Sequence, residues 1–307
     1  GFTSLFGRFP LLYASLAFWA MFVAFAIKLG VWPFHTWLPD AYSEAPTAGS
    51  IMLSAVMSKM GAYGMFRILL PFMPDAAQYW APVIGALALI SVVAGAFGAL
   101  AQVNGDLKRL IAYTSVNHMG YVALAVAAVA ALGGADAQGR AIAINGALFQ
   151  MVAHGLSTGA LFLLAQAVYE RTGTYDLDRM GGLRRVAPTL AGVMGVAMFA
   201  NLGLPGLAGF VGEFFILRGV WSALPLYALL ATIGLVVTAL ALLRMYGHIF
   251  NGPLPERLRA VADINMTSPA FLAALPLLIA LLALGIYPAL IMDVSHQATA
   301  LLAGLAR

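Results

Sequence analysis

Three ionisable residues, Lys28, Lys59 and Glu213, stand inside long apolar runs, and His118 and His154 stand inside two more. Lys28 lies in AFWAMFVAFAIKLG and Lys59 in IMLSAVMSKMGAYGMF, while Glu213 follows the glycine-rich stretch LGLPGLAGFVG. An ionisable side chain near the centre of a bilayer costs about 2.5 to 3.5 kcal/mol, so three cost on the order of 8 to 10 kcal/mol. A domain is stable by only about 5 to 15 kcal/mol, so such groups are partnered, neutralised or functional. The chemistry they suit is the binding and release of protons.

Each residue has an ordinary reading beside the chemical one. Lys28 becomes a proton donor if a neighbouring carboxylate switches, or it snorkels to the interface from a helix end. Lys59, midway along its run, is too deep to snorkel easily. Glu213 takes and gives protons beside freed backbone, or caps the half-helix that follows, whose N-terminus favours an anion. His118 in YTSVNHMGYV and His154 in MVAHGLSTG bring Ser115, Asn117, Ser157 and Thr158 with them. Imidazole donates and accepts near neutrality, which suits both to bridging Lys59 and Glu213, although membrane histidines also serve as interhelical hydrogen-bond glue. His35, Asp40 and Glu44 in PFHTWLPDAYSEAP form either a proton entrance or a solvated turn, and the turn is favoured for the two acids. No His/Asp/Glu spacing suits a metal, and His248 and His296 are peripheral.

The elements that hold these residues are membrane helices. Of 307 residues 62% are hydrophobic and 9% charged, against about 25% charged in a soluble domain. Unbroken apolar stretches recur throughout, rather than the alternation of a barrel, and backbone in lipid must satisfy itself. The fold class is therefore an all-α polytopic membrane protein. The absence of cysteine excludes thiolate-held iron–sulfur clusters and Cys-ligated zinc, and no cofactor is expected. The net charge of +4 fits loop cations that orient helices, not a nucleic-acid surface.

Eight spans are predicted, at about 11–28, 47–70, 81–103, 107–132, 139–169, a broken one at 189–222, then 226–250 and 269–292. Basic residues favour one side, with Lys108, Arg109, Arg171, Arg179, Arg184, Arg185, Arg244, Arg257 and Arg259 against Arg8, Arg67, Arg140, Arg218 and Arg307. The first side is expected to be cytoplasmic. Helix breaks occur at Gly30-Val-Trp-Pro33 and Gly203-Leu-Pro205-Gly206, five spans apart. An odd number of crossings makes a repeat inverted, and matched broken helices mark transport sites in such folds. Residues 1–75 would then be the tail of a first repeat, 76–252 a second five-helix repeat, and 253–307 the last helix. The chain begins with Gly and without a signal pattern, and is expected to be the C-terminal portion of a longer protein with at least three helices upstream.

Four segments, PFHTWLPDAYSEAPTAGS, DLKRLIAYTSVNHMGY, MVAHGLSTGALFLL and LGLPGLAGFVGEFFIL, resemble the antiporter-like subunits of proton-pumping NADH-quinone oxidoreductase, respiratory complex I. The nearest likeness is to the subunit M branch, which includes mitochondrial NADH dehydrogenase subunit 4. The resemblance implies fourteen helices in two inverted five-helix repeats, of which this chain holds the last eight. It places proton-transfer roles on Lys28, Lys59, His118, His154 and Glu213. The acid at 213 favours M, because L, N and the Mrp antiporter relatives usually have lysine there. Where this chain has Tyr42 the family often has histidine, so no proton role is carried to that position. The acid partner of Lys28 belongs to an upstream helix, and the fragment alone is not expected to pump. The resemblance further implies partners in the other membrane subunits, L and N, and a bacterial inner-membrane location. A sodium/proton antiporter of Mrp type and a purely structural membrane spacer are the rival readings.

Overall fold

Apolar sequence with internal backbone hydrogen bonding gives an all-helical bundle in the computed structural model, which describes residues 11–264, 266 and 268–295. Arg8, His296 and Arg307 lie outside the described residues. Helix α1 is Leu11–Leu29, and α2, Trp37–Glu44, is the second half of the same broken helix. Residues 47–72 form α3, α4 is Pro74–Ala101, α5 Leu107–Leu132 and α6 Ala137–Thr172. The second broken helix comprises α7, Pro188–Leu202, and α8, Ala208–Ala223. Helices α9, Pro225–Phe250, and α10, Pro269–Ile286, follow. Six of these, α1, α4, α5, α6, α9 and α10, are long and apolar enough to cross a membrane unbroken. The interrupted α3 and the α7–α8 pair supply the other two expected spans.

Two boundaries differ from the sequence reading. The third span begins at Pro74 rather than 81, because Pro74 stands in the first turn and Asp75 follows it there, both helix-start signals that outweigh the proline at 82. The last span stops at Ile286 rather than 292, since Pro288 cannot continue the ladder, and the chain is helical again over 289–295. A third difference is internal. α3 is not uniform, having π-helical turns at Met52–Met57 and Met65–Leu69 on either side of the α-helical Ser58–Gly64 that carries Lys59. Such widened turns are common at functional sites.

The two breaks are built alike. Gly30 has φ 84° and Gly203 has φ 82°, the left-handed conformation that glycine alone adopts without cost. At the first break the N–H groups of Gly30 and Val31 both donate to Ala26 O, at 2.9 and 3.0 Å. At the second, the N–H groups of Gly203 and Leu204 both donate to Phe199 O.

Helix α5 lies at the centre, with 89% of its most apolar window buried, and glycines set how closely its neighbours approach. A Cβ on Gly95 of α4 would stand 2.5 Å from the backbone N of Asn117, and one on Gly120 would stand 2.8 Å from the backbone N of Val92. The seam between α6 and α8 is similar, with Gly146 against the backbone of Ile216 and Gly219 against that of Ala143. In lipid, where apolar burial between helices gains little, such contact of small residues holds a bundle together.

Many of the basic residues collect at one end. Lys108 Nζ donates to Ser43 O at 2.9 Å and Ala45 O at 2.6 Å, capping the C-terminus of α2, and Arg109 pairs with Asp40. Arg171 and Arg257 bond carbonyls of Ala262 and Thr172 at the same end. There Asp263 accepts from the N–H groups of Thr189 and Leu190, at 2.8 and 3.1 Å, and so caps α7. Partial burial raises its pKa, but hydrogen bonds from the backbone of Thr189, Leu190 and Ile264 outweigh that and hold it below the usual 3.8.

Gly146→Ala places a methyl against backbone that cannot yield, at a cost of about 1 to 3 kcal/mol. A lower melting temperature is expected in detergent, with Gly134→Ala, which meets nothing within 4 Å, unchanged. Asp263→Ala removes a helix cap and is expected to cost about 0.5 to 2 kcal/mol at neutral pH. Because the folded carboxyl titrates low, the advantage of the native protein is full above the usual 3.8 and disappears as pH falls through the lowered value, which thermal melts across acid pH would trace.

Candidate functional site

Lys59 is aimed inward by the α-helical segment between the two π turns. Its ammonium donates to Ser54 O at 2.6 Å and lies 2.5 Å from His154 Nδ1. The contact is short because α6 runs close to α3 here, a Cβ on Gly155 falling 2.9 Å from Ala55 O. The other side of Lys59 lines an apolar cavity of about 810 Å³ between α3, α6 and the segment 290–295. His154 Nε2 is buried and has no hydrogen-bond partner among the described residues.

His118, one bundle layer further in, faces Glu213. Its Nδ1 lies 2.8 Å from Glu213 Oε1, and both side chains are almost fully buried, at 3% and 5% exposure. The imidazole rings of His118 and His154 have centroids 5.5 Å apart and are inclined at 61°. Asn201 stands on the far side of His118, with its Oδ1 3.2 Å from Nε2, and passes a hydrogen bond from its Nδ2 to Ser157 Oγ at 3.1 Å. Gln150 Nε2 approaches Glu213 Oε1 at 3.4 Å.

Glu213 does not cap α8. The first turn of that helix carries no acidic residue and its N-cap has no side-chain bond, so the carboxylate is free for His118. The carboxylate is also held from behind, since a Cβ on Gly203 would stand 2.7 Å from Glu213 Oε2. The structure thus joins Lys59 to His154 and His118 to Glu213, and sets the two pairs in ring contact. Such an arrangement can accept a proton at an amine and deliver one at a carboxylate, through two imidazoles that each carry both a donor and an acceptor nitrogen.

Lys28 is not joined to this line. It is half-buried at the end of α1 and makes no hydrogen bond or ion pair among the described residues. Its helix does pack against the segment that carries Lys59, Gly61 lying under Phe25 O and the backbone of Leu29. Asp40 and Glu44 are exposed but stand on helix α2 rather than in a turn, Asp40 in its first turn and paired with Arg109, and His35 Nδ1 is buried without a partner among the described residues. The Tyr42 hydroxyl donates to Leu53 O at 3.1 Å, away from the histidines. Asn117 also turns away, its amide bonding Val92 O. Sequence reasoning missed Gln150 and Asn201. Gln150 precedes His154 by one helical turn and Asn201 stands two residues before the Gly203 break, so spacing alone offered both.

The chain is similar to known proteins in both sequence and fold. The family described as NADH:quinone oxidoreductase/Mrp antiporter, TM, matches residues 7–240. NADH-quinone oxidoreductase subunit M of Rhodobacter capsulatus is 41% identical over 280 residues, covering 91% of this chain and 52% of that protein. Subunit M of Escherichia coli (strain K12) is 40% identical over 277 residues, covering 90% and 52%. Among solved structures, a chain of respiratory complex I from Thermus thermophilus with bound NADH is similar with a TM-score of 0.85 and 33% identity, over 96% of this chain and 59% of that one. The chain spans about half the length of the curated relatives it matches.

Gly203→Ala tests how the break holds Glu213. The substitution strains a left-handed residue by about 1 to 2 kcal/mol and pushes a methyl toward the carboxylate. A lower melting temperature and an altered carboxylate band in the infrared spectrum are expected, whereas Gly206→Ala, at φ 93° with nothing within 4 Å, is expected to change stability alone.

Proposed function

The chain belongs to the NADH:quinone oxidoreductase/Mrp antiporter transmembrane family, and on that premise we propose that it forms part of a proton path in the membrane arm of an NADH-quinone oxidoreductase. The observation that carries this reading is the run from half-buried Lys59 to buried His154, His118 and Glu213, each within contact of the next. Redox chemistry belongs to other subunits of such an enzyme. The contribution of this chain is the movement of protons in response to changing charge.

Each step follows from chemistry at a named atom. An ammonium at Lys59 can pass a proton to His154 Nδ1, against which it already lies. Gaining a proton at Nδ1 lets His154 release one from Nε2, which has no partner among the described residues, and the neighbouring imidazole is that of His118, with centroids 5.5 Å apart. His118, once charged, is stabilised by the Glu213 carboxylate on its Nδ1. Two unit charges 4 Å apart interact by about 4 kcal/mol at an effective dielectric near 20, which corresponds to about three powers of ten in a protonation equilibrium. A charge arriving at one end of the line is therefore felt at the next group, and ionisation states move together.

Several finer assignments belong to the same reading. Lys28 is an entry group whose acid partner lies in the part of the relatives that this chain does not cover. The matching glycine caps support two inverted repeats, with residues 1–75 ending the first, 76–252 forming the second and 253–307 the last helix. The partners are the adjacent antiporter-like subunits L and N, and the membrane is the bacterial inner membrane, with the cluster of basic residues around Lys108 on its cytoplasmic face.

Lys59→Ala in the full-length subunit, assembled in its complex in sealed vesicles, is expected to lower proton translocation several-fold. Val236→Ala, 70% exposed on the outer face of α9, is expected to leave it unchanged. Normal pumping by the lysine variant would remove the proposal. Proton exchange driven by sodium in vesicles holding the full-length protein alone would favour the Mrp-type antiporter instead.

A further inference from the structure

The two ring nitrogens of His118 are held by the two halves of one broken helix. Asn201, in the last turn of α7, faces Nε2 at 3.2 Å, and Glu213, on α8, faces Nδ1 at 2.8 Å. Between them lies the break at Gly203. The structure turns the oxygen of Asn201 to the ring and its Nδ2 to Ser157 Oγ at 3.1 Å. Each nitrogen of His118 therefore faces an acceptor oxygen, with the Gln150 amide nitrogen farther off at 3.5 Å from Nδ1, and a ring that donates from both nitrogens satisfies both oxygens. The geometry is the one that an imidazolium beside a carboxylate would take, the proton-loaded form of the site.

When His118 gives up its Nε2 proton, a lone pair there faces the amide oxygen, and two buried acceptors oppose one another. Rotation of the Asn201 amide by half a turn relieves this without changing shape. Its Nδ2 then donates to His118 Nε2 and its Oδ1 needs a donor, which Ser157 can provide by turning its hydroxyl from His154 O, now 3.3 Å away, to the amide. A hydroxyl both donates and accepts, so the bridge has two satisfied states of one geometry.

We propose that Asn201 is a positioning residue that sets the protonation of His118, with its oxygen toward the charged ring and its nitrogen toward the neutral one, and that the break couples this choice to helix movement. Displacing either half-helix removes one of the two acceptors that keep His118 loaded. The proposal rests on the proton-transfer reading above. The titratable and charged groups that face His118 are Glu213 from α8, His154 from α6 with Lys59 behind it from α3, and Tyr121 on its own helix, whose hydroxyl donates to Ala231 O. Gln150 adds a neutral amide from α6. Among the described residues α4, α7 and α9 present no charged group there.

The test is the pH profile of proton translocation by the assembled complex in sealed vesicles, with assembly read on a native gel. Asn201→Asp keeps the acceptor, adds a negative charge and cannot rotate to a donor, and is expected to move the alkaline limb upward by about one pH unit or more. Asn201→Leu removes the acceptor and is expected to move that limb downward. Asn201→Ser, whose hydroxyl can reverse, is expected to keep the native position at reduced rate. If the aspartate variant fails to assemble, the opposed behaviour of leucine and serine decides the matter. Profiles of unchanged position and lower height in both the aspartate and leucine variants, or in the leucine variant alone where the aspartate one fails, would overturn the proposal and leave Asn201 a packing residue. That result, together with loss of pumping in Lys59→Ala, would count against the role of Asn201 alone, whereas normal pumping in Lys59→Ala would count against the path itself.

Discussion

The buried contact between His118 and Glu213 is the constraint that organises the bundle. Two groups at 3% and 5% exposure, deep in helices that face lipid, cannot borrow water to stabilise charge. Their attraction repays desolvation only where geometry is good and the remaining polar atoms are bonded. Glycines at the seams of α4, α5, α6 and α8 bring the backbones near enough for that geometry. Asn201 faces the second nitrogen of His118, and Gln150 adds a donor 3.4 Å from Glu213 Oε1. Removing one partner of such a pair is strongly destabilising, because the other charge stays buried.

A helix break is what makes that pairing reachable. An intact helix through residues 188–223 would project Asn201 and Glu213 from turns more than three apart, about 18 Å along the axis at 1.5 Å per residue. Interrupting it at Gly203 lets both reach one imidazole. The freed backbone is not left bare, because the glycine cap returns two N–H groups to Phe199 O. The π turns in α3 act on a smaller scale, resetting the angular register on both sides of Lys59 so that its ammonium meets His154.

Much of this was legible in the amino-acid sequence. Apolar runs gave all eight spans, and the Gly/Pro clusters gave both breaks, since each depends on local composition. The charged and imidazole residues stood out because lipid makes them costly. Their pairing did not stand out. His118 and Glu213 are 95 residues apart, as are Lys59 and His154, and such contacts depend on crossing angles that no local pattern encodes. The π turns were invisible for a related reason. Their backbone angles lie within the ordinary helical region, and nothing in Met52–Met57 distinguishes it from an α-helical run. The alternative reading of Glu213, as a cap of α8, fails on position, as the carboxylate stands beyond the first turn and has a histidine to face.

The matching caps place Lys28 and Asn201 in one structural slot. Each residue stands two positions before the left-handed glycine, and each cap closes on the carbonyl four residues earlier. In the second break the slot points a neutral amide at His118, which α5 supplies. In the first it holds a lysine, and the element packed against the end of α1 offers Gly61, with no side chain to answer it. An amide in this slot can turn either a donor or an acceptor to its neighbour, whereas an ammonium only donates and is best met by an acceptor. A carboxylate opposite this slot would therefore complete it as Glu213 completes the site around His118.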